Sequence, residues 1–248
     1  DWSSDVCSSD LSVETLLLAL GAMLMVGVVA GGGLALLYPL FRPGLLTRQP
    51  RQRANALLGW AVAPACLGLF FTTLLFVPSI LNRLGIPAGH CHNHAERLPH
   101  ICLTNPLISG SEISLWNLVA AFSLFLACFW AAQGAQLHKL ARLKSALRCA
   151  KEKTGTNHSL IPWGTPAAIT VGFWTPKIFV SKSLAQSLLP GQLQVILAHE
   201  QAHVRYRDPL LQSLAQALSA LYLAQPRRRL LDDLALATEQ ACDEEAAQ

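Results

Sequence analysis

The chain has 248 residues, of which 52% are apolar and only 14% charged, and its formal net charge is +4. Soluble domains carry about 25% charged residues, so this composition excludes an ordinary soluble domain as the whole protein. A charge deficit of this size indicates membrane segments.

The two ends of the chain need separate treatment. Residues 1–11, DWSSDVCSSDL, are polar and unpatterned and correspond to a translated sequencing-library adapter, so we treat them as a non-native tail outside the fold. At the other end, a helical pattern is still unbroken at Gln248. We therefore expect the chain to be a fragment that is truncated at its C-terminus.

Three long apolar stretches follow the tail, at residues 12–40, 55–81 and 113–136. Each has the roughly 20 residues that a helix needs to cross the hydrocarbon core of a bilayer. The alternative, three buried helices of a soluble protein, is disfavoured because none of the stretches has a polar stripe. The sequence predicts a three-helix transmembrane region over residues 12–136.

Basic residues in the connecting segments predict the orientation of these spans. The first connection holds Arg42, Arg48, Arg51 and Arg53 without an acidic residue, and the segment after the third span is also basic. Positively charged loops stay on the cytoplasmic side. We therefore expect the N-terminus to be outside and everything after residue 137 to be cytoplasmic.

The second connection, residues 82–112, is then extracytoplasmic and is rich in potential metal ligands. These are His90, Cys91, His92, His94, His100 and Cys102. Such a loop could bind zinc, copper or nickel and sense a signal. Alternatively, its two cysteines could form a disulfide in an oxidising compartment, which would leave the histidines solvated.

The cytoplasmic part begins at residue 137 with a predicted basic amphipathic helix over 138–153, and turn formers follow at 154–166. The β-rich stretches 167–171 and 177–181 predict a hairpin, because GFWTPK between them supplies a turn. An edge strand near a metal could pair with an extended substrate. The sequence leaves open whether that edge strand carries Ala168 or Phe179.

Helices are predicted after the hairpin. A short one is expected at Ser181–Leu189, and a stronger one runs from Pro190–Gly191 to Asp208–Pro209. Residues 209–225 are too short to cross a bilayer, so they should form a core helix or one lying against the membrane. Pro226 is expected to be the first residue of a further helix.

The stronger helix contains the motif LAHEQAH, residues 197–203. His199 and His203 lie four apart and share one face, so both could bind one zinc ion. Glu200, beside them, could accept a proton from water activated by the metal and pass it to the leaving amine. The alternative is a helix with two solvated or core histidines. It is disfavoured because the preceding residues are apolar and unpartnered polar groups are costly to bury among them.

A third zinc ligand is expected, because catalytic zinc sites use three protein ligands and one water. Glu239 and Asp243 in ATEQACDEEA again share a helix face. We predict that Glu239 is the third ligand and that Asp243 orients a ligand histidine. A solvated acidic face is the alternative. Asp208 could support the site in the same way or serve only as a helix end.

Three segments of the chain resemble a known family: TVGFWTPKIFVS, LPGQLQVILAHEQAHVRYRDPL and EQACDEEA. They are similar to the membrane zinc metallopeptidases of the β-lactam sensor and antirepressor type (BlaR/MecR), gluzincins with the pattern HExxH followed by ExxxD. The resemblance covers residues 12–248. It implies that His199, His203 and Glu239 bind zinc, that Glu200 is the catalytic acid and base, and that an external signal triggers cleavage of a cytoplasmic protein such as a repressor.

Together these observations predict a mainly α membrane protein of the bacterial inner membrane. Three transmembrane helices precede a cytoplasmic α+β zincin-like domain, residues 137–248, with a small β-hairpin. Its expected partners are a protein or peptide substrate and the lipid bilayer, with no direct nucleic-acid binding. The rival functions are a quality-control metalloprotease of the heat-shock type and a non-catalytic membrane protein that senses or binds metal.

Overall fold

The computed structural model of the chain describes residues 13–83, residue 134 and residues 158–248. Several predictions concern other residues. Apart from Gly134, the predicted third span at 113–136 lies outside the described residues. The histidine- and cysteine-containing residues of the external loop, from His90 to Cys102, lie outside them as well.

Two long helices begin the described chain, α1 at Val13–Leu46 and α2 at Pro50–Arg83. Both are long and apolar enough to cross a membrane, and only 17% and 28% of the residues in their most apolar windows are buried. The core helix of a soluble protein would be mostly buried, so this exposure favours membrane anchoring. The first two predicted spans therefore lie on helices that could serve as membrane helices.

The connection between the two helices is shorter than predicted. Arg42 lies within α1, while Arg51 and Arg53 lie in the first turn of α2, so the expectation of a loop over residues 41–54 was wrong. The reason is long-range pairing: Arg42 and Arg51 each bind an aspartate far along the chain, which lets a charged residue continue an apolar helix.

Two glycines allow close approach of backbone to backbone. A Cβ atom at Gly68 on α2 would lie 2.6 Å from the carbonyl oxygen of Met23 on α1, and one at Gly31 would lie 2.5 Å from the carbonyl oxygen of Leu221. Only glycine fits at such contacts. Helices α1 and α2 therefore pack tightly on each other, and a turn of the C-terminal part is seated on α1.

A three-stranded mixed sheet follows, with strands β1 at His158–Ile161, β2 at Ala168–Val171 and β3 at Lys177–Ser181. The predicted hairpin is confirmed, because β2 and β3 are antiparallel. The interpretation of 154–166 as turns was wrong for β1, which pairs in parallel with β3. Its partner lies twenty residues downstream (His158 opposite Ile178), so nothing local in the sequence marked it as a strand.

The remaining helices largely follow the sequence pattern. The short helix α3 spans Lys182–Ser187 and is capped by the Ser181 hydroxyl, which accepts a hydrogen bond from the Leu184 N–H. Helix α4, Pro190–Tyr206, carries the histidine motif. Helix α5, Asp208–Leu218, has eleven residues and is too short to cross a bilayer, as expected.

A 3₁₀ turn at Ser219–Leu221 connects α5 to the last helix, α6, at Ala224–Ala246. Pro226 is the third residue of α6 rather than its first. Apolar residues of α5 and α6 pack on α1 and α2 in one buried cluster, which includes Ala35, Tyr38, Leu57, Ala61, Ala215, Leu230, Leu234 and Ala237. The C-terminal helices are therefore docked on α1 and α2, and this docking positions the helix that carries the two histidines.

The docking of α6 on α1 includes one buried polar contact. Asp233 accepts hydrogen bonds from the Tyr38 hydroxyl at 2.6 Å and from the Arg42 guanidinium at 2.7 and 2.8 Å. The hydrogen bonds from Arg42 are the main reason that the pKa of Asp233 is lowered from its ordinary value. An ionised Asp233 therefore stabilises the folded state.

We expect Asp233→Asn to lower the free energy of unfolding by about 2 kcal/mol at pH 7, the scale of charge-assisted hydrogen bonds. The side chain of Arg42 is 46% exposed, so the larger cost of breaking a fully buried pair does not apply. Because the folded pKa is depressed, this stability is present above about pH 3.9 and is lost as the pH falls through the lower folded value.

Denaturation of the detergent-solubilised protein at pH 7 and pH 3 would measure this effect. The matched control is Asp232→Asn, which changes the exposed neighbouring carboxylate. Equal stability of the two variants at pH 7 would contradict the assignment.

Candidate active site

Helix α4 and the bend after it determine where the histidines lie. Pro190 occupies the first turn, and the Gln192 side chain accepts a hydrogen bond from the Leu189 N–H at 3.0 Å. The helix stops at Arg207, whose left-handed backbone (φ 54°) lets its N–H bond to the carbonyls of His203 and Val204. This bend turns Asp208 back toward the last turn of α4.

Three side chains converge beside this helix. The Nε2 atoms of His199 and His203 are 3.2 Å apart, and Oε2 of Glu239 lies 3.4 and 3.7 Å from them. Zinc bonds of about 2.0–2.1 Å in tetrahedral geometry would separate such ligand atoms by about 3.3 Å. The three donors are therefore already spaced to hold one zinc ion.

The other ring nitrogen of each histidine faces a carboxylate. Nδ1 of His199 is 2.8 Å from Oδ1 of Asp243, and Nδ1 of His203 is 3.0 Å from Oδ2 of Asp208. Such contacts keep the hydrogen on Nδ1 and leave the Nε2 lone pair free for a metal. Both aspartates singled out in the sequence thus lie where they can orient a ligand.

The electrostatic environment favours a cation at this point. Burial alone would lower the pKa of His203, but its contact with Asp208 and the charges of Glu239, Asp208 and Glu200 outweigh burial and raise it. The same negative charge that favours a proton would favour a metal ion in its place.

Cys242 lies beside Nδ1 of His203, whereas the atom of His203 that faces the other two donors is Nε2. Its sulfur is 3.4 Å from Nδ1 of His203 and 3.5 Å from Oδ2 of Asp208. Burial, reinforced by Asp208, raises the pKa of this thiol to about 12. Cys242 is therefore a neutral thiol at pH 7 that packs against His203.

Glu200 is buried, and its orientation is fixed by the sheet. The Thr170 hydroxyl, on β2, lies 2.6 Å from Oε2 of Glu200 and 3.2 Å from its main-chain oxygen. Only 7% of Glu200 is exposed, whereas 53% of the Glu239 side chain and 71% of the Asp243 side chain are. The cluster is therefore closed behind α4 and open on the side of α6.

The structure brings together all six residues that the sequence predicted for the internal site: His199, Glu200, His203, Asp208, Glu239 and Asp243. Their chemical roles stay predictions. Sequence reasoning missed Thr170, Cys242 and Arg51, the last of which lies 3.3 Å from Asp208. Each reaches the site through a contact between distant parts of the chain, and no local pattern distinguished it.

A family model described as BlaR1 peptidase M56 matches residues 107–248, which is more than half of the chain. Neither the curated proteins nor the solved structures contain a match to the chain.

Proposed function

The chain belongs to the BlaR1 peptidase M56 family, and from this premise we propose that it is a membrane-anchored zinc endopeptidase acting in signal transduction. The observation that carries the proposal is the convergence of His199, His203 and Glu239, with Glu200 beside them. These are the donor types and the number of protein ligands that catalytic zinc sites use.

His199, His203 and Glu239 would hold the zinc ion, with Asp243 and Asp208 orienting the two imidazoles. When bound there, zinc would supply Lewis-acid polarisation of a peptide carbonyl and would make water more acidic. Two neutral imidazoles and one carboxylate leave one positive charge on such a site, which suits the stabilisation of a developing oxyanion.

Glu200 would handle the proton. Its carboxylate would accept a proton from the attacking water and deliver it to the nitrogen of the departing amine. The hydrogen bond from Thr170 occupies Oε2 and leaves Oε1 available for this transfer. A buried glutamate held in one orientation loses little entropy on reaching the reactive geometry.

Strand β2 is the best candidate to hold the substrate. It lies at an edge of the sheet, order β1-β3-β2, and it carries Thr170 against Glu200. Of the two residues that the sequence left open, Ala168 lies on this edge strand and Phe179 on the central one. An extended peptide that added to β2 would run past Glu200. Cleavage of an internal peptide bond requires this, because the substrate chain continues on both sides of the site.

A regulatory role at the cytoplasmic side of a bacterial inner membrane fits the architecture. Helix α1 contacts α6, which carries Glu239, through Arg42 on Asp233. Helix α2 contacts Asp208 through Arg51, and Asp208 in turn contacts His203. A change in the membrane helices would therefore reach the site directly. The substrate we propose is a cytoplasmic protein, such as a repressor.

Metal dependence tests the function. The full chain, purified in detergent micelles, should bind at least one equivalent of zinc and cleave members of a fluorescence-quenched peptide library. A chelator should abolish cleavage, and added zinc should restore it. Cleavage that persists in metal-free protein, or failure to bind zinc more tightly than micromolar, would contradict the proposal.

A further inference from the structure

Arg51 links the start of the second membrane helix to the α4–α5 junction. It is the second residue of α2, and its guanidinium contacts Oδ1 of Asp208 at 3.3 Å. The carbon of the same guanidinium lies 3.6 Å from the centre of the Tyr206 ring, which is a cation–π distance. Arg51 therefore contacts the residues on either side of Arg207, the left-handed residue that separates α4 from α5.

Asp208 uses its second oxygen on a zinc-ligand candidate. Oδ2 contacts Nδ1 of His203 at 3.0 Å, while Oδ1 faces Arg51. Asp208 is only 3% exposed, so water cannot replace a lost partner freely. A continuous path of side chains thus joins α2 to the imidazole of His203 through one carboxylate.

Tyr206 is itself held in place by a hydrogen bond to α6. Its hydroxyl lies 2.7 Å from Oε2 of Glu245 on α6, and Arg205 pairs with the other oxygen of that carboxylate. The ring on which Arg51 rests is therefore attached to the helix that carries Glu239. Displacing Arg51 would disturb the junction on both sides.

We propose that Arg51 is a positioning residue: through Asp208 it sets the orientation of His203, so that this contact from the start of α2 determines the affinity of the site for zinc. This inference rests on the proposed metal site and names the contact by which the membrane part would regulate it. It does not depend on which substrate is cleaved.

The first test is zinc affinity, measured on the full chain in micelles by competition with a chromophoric chelator. Loss of a group that orients a ligand lowers metal affinity by about 10–100-fold, and Arg51 acts one step further out, so we expect Arg51→Ala to weaken binding by about tenfold. The zinc affinity of Arg51→Lys should lie between that of wild type and that of Arg51→Ala, because a lysine keeps the charge but not the planar stacking on Tyr206. The visible spectrum of the cobalt-substituted protein should change in Arg51→Ala.

The matched control is Arg48→Ala. Arg48 is exposed in the connection before α2 and makes no ion pair within the part of the chain that the structure describes. It should keep wild-type affinity and the wild-type cobalt spectrum.

A double-mutant cycle separates positioning from general destabilisation. If Arg51 acts through Asp208, the double variant Arg51→Ala/Asp208→Asn should bind zinc no more weakly than Asp208→Asn alone. The proposal would be overturned if the fold-losses of the two single variants multiplied in the double variant. It would also be overturned if Arg51→Ala bound zinc within twofold of the wild-type affinity. If Arg51→Ala does not fold, the same cycle with Arg51→Lys decides. Zinc affinity is read without a peptidase assay, so failure here leaves the proposed catalytic function standing. Absence of cleavage by protein that binds zinc would leave this inference standing, whereas wild-type protein that binds no zinc would remove both.

Discussion

Replacing Glu200 with glutamine is expected to lower kcat by about 10²- to 10⁴-fold, the usual contribution of a positioned general acid–base group. Glutamine is isosteric and its amide oxygen can still accept the hydrogen bond from Thr170, so the fold and the zinc ligands should be unchanged. What it lacks is the ability to take a proton. The variant should therefore bind one zinc ion with wild-type affinity and fail to cleave.

Steady-state cleavage of a library peptide, together with zinc content by elemental mass spectrometry, would measure both properties. Glu244→Gln is the matched control, because Glu244 is an exposed carboxylate on α6. It should retain full activity. A Glu200→Gln protein with more than a tenth of wild-type kcat would remove Glu200 from the proton-transfer role. A protein that lost its zinc instead would make Glu200 a ligand or a structural residue.

Replacing His203 with alanine is expected to weaken zinc binding by roughly a hundredfold or more. Protein zinc sites bind with about 10–16 kcal/mol shared among three or four ligands, so each ligand contributes roughly 3 kcal/mol, and 1.4 kcal/mol is a factor of ten. This loss of zinc affinity should exceed the loss caused by replacing a residue that only orients a ligand, such as Asp208. Asp208 would still face Arg51 and Cys242, so the α4–α5 junction should remain folded.

The control for this variant is His158→Ala, which removes a histidine from β1, remote from the cluster in sequence and assigned no part in the site. Zinc affinity by chelator competition should be unaffected there. If His203→Ala bound zinc as tightly as wild type, the metal would have to be held by other residues, for which the external histidine- and cysteine-rich loop is the first candidate. Peptides of that loop can be titrated separately.

The internal site could be predicted from sequence because its main parts are set by helical geometry. Two histidines four apart share a face on any helix, and a glutamate and an aspartate four apart do the same. The HExxH spacing therefore predicts that both histidines lie on one face of α4. Glu239 was inferred from a second predicted helix, on which Glu239 and Asp243 lie four apart and therefore share a face.

What the sequence could not reveal depends on contacts between distant segments. Thr170 meets Glu200 from a different element, and Arg51 meets Asp208 across more than 150 positions. Strand β1 was missed for the same reason, since parallel pairing leaves no turn signal. The arginines near the first connection were assigned to a loop because their partners, Asp233 and Asp208, are recognisable only once the helices are docked.

The charge-free stretches of the two long helices are longer than a bilayer is thick. Residues 15–41 and 54–82, bounded by Glu14, Arg42, Arg53 and Arg83, comprise 27 and 29 residues. At 1.5 Å per residue each measures about 40 Å, against a hydrocarbon core of about 30 Å. Inserted in a membrane, the helix pair would have about 10 Å of axial slack. The helices, with the C-terminal turn that is seated on α1 at Gly31, could tilt or shift together by that amount without dragging a charge into lipid.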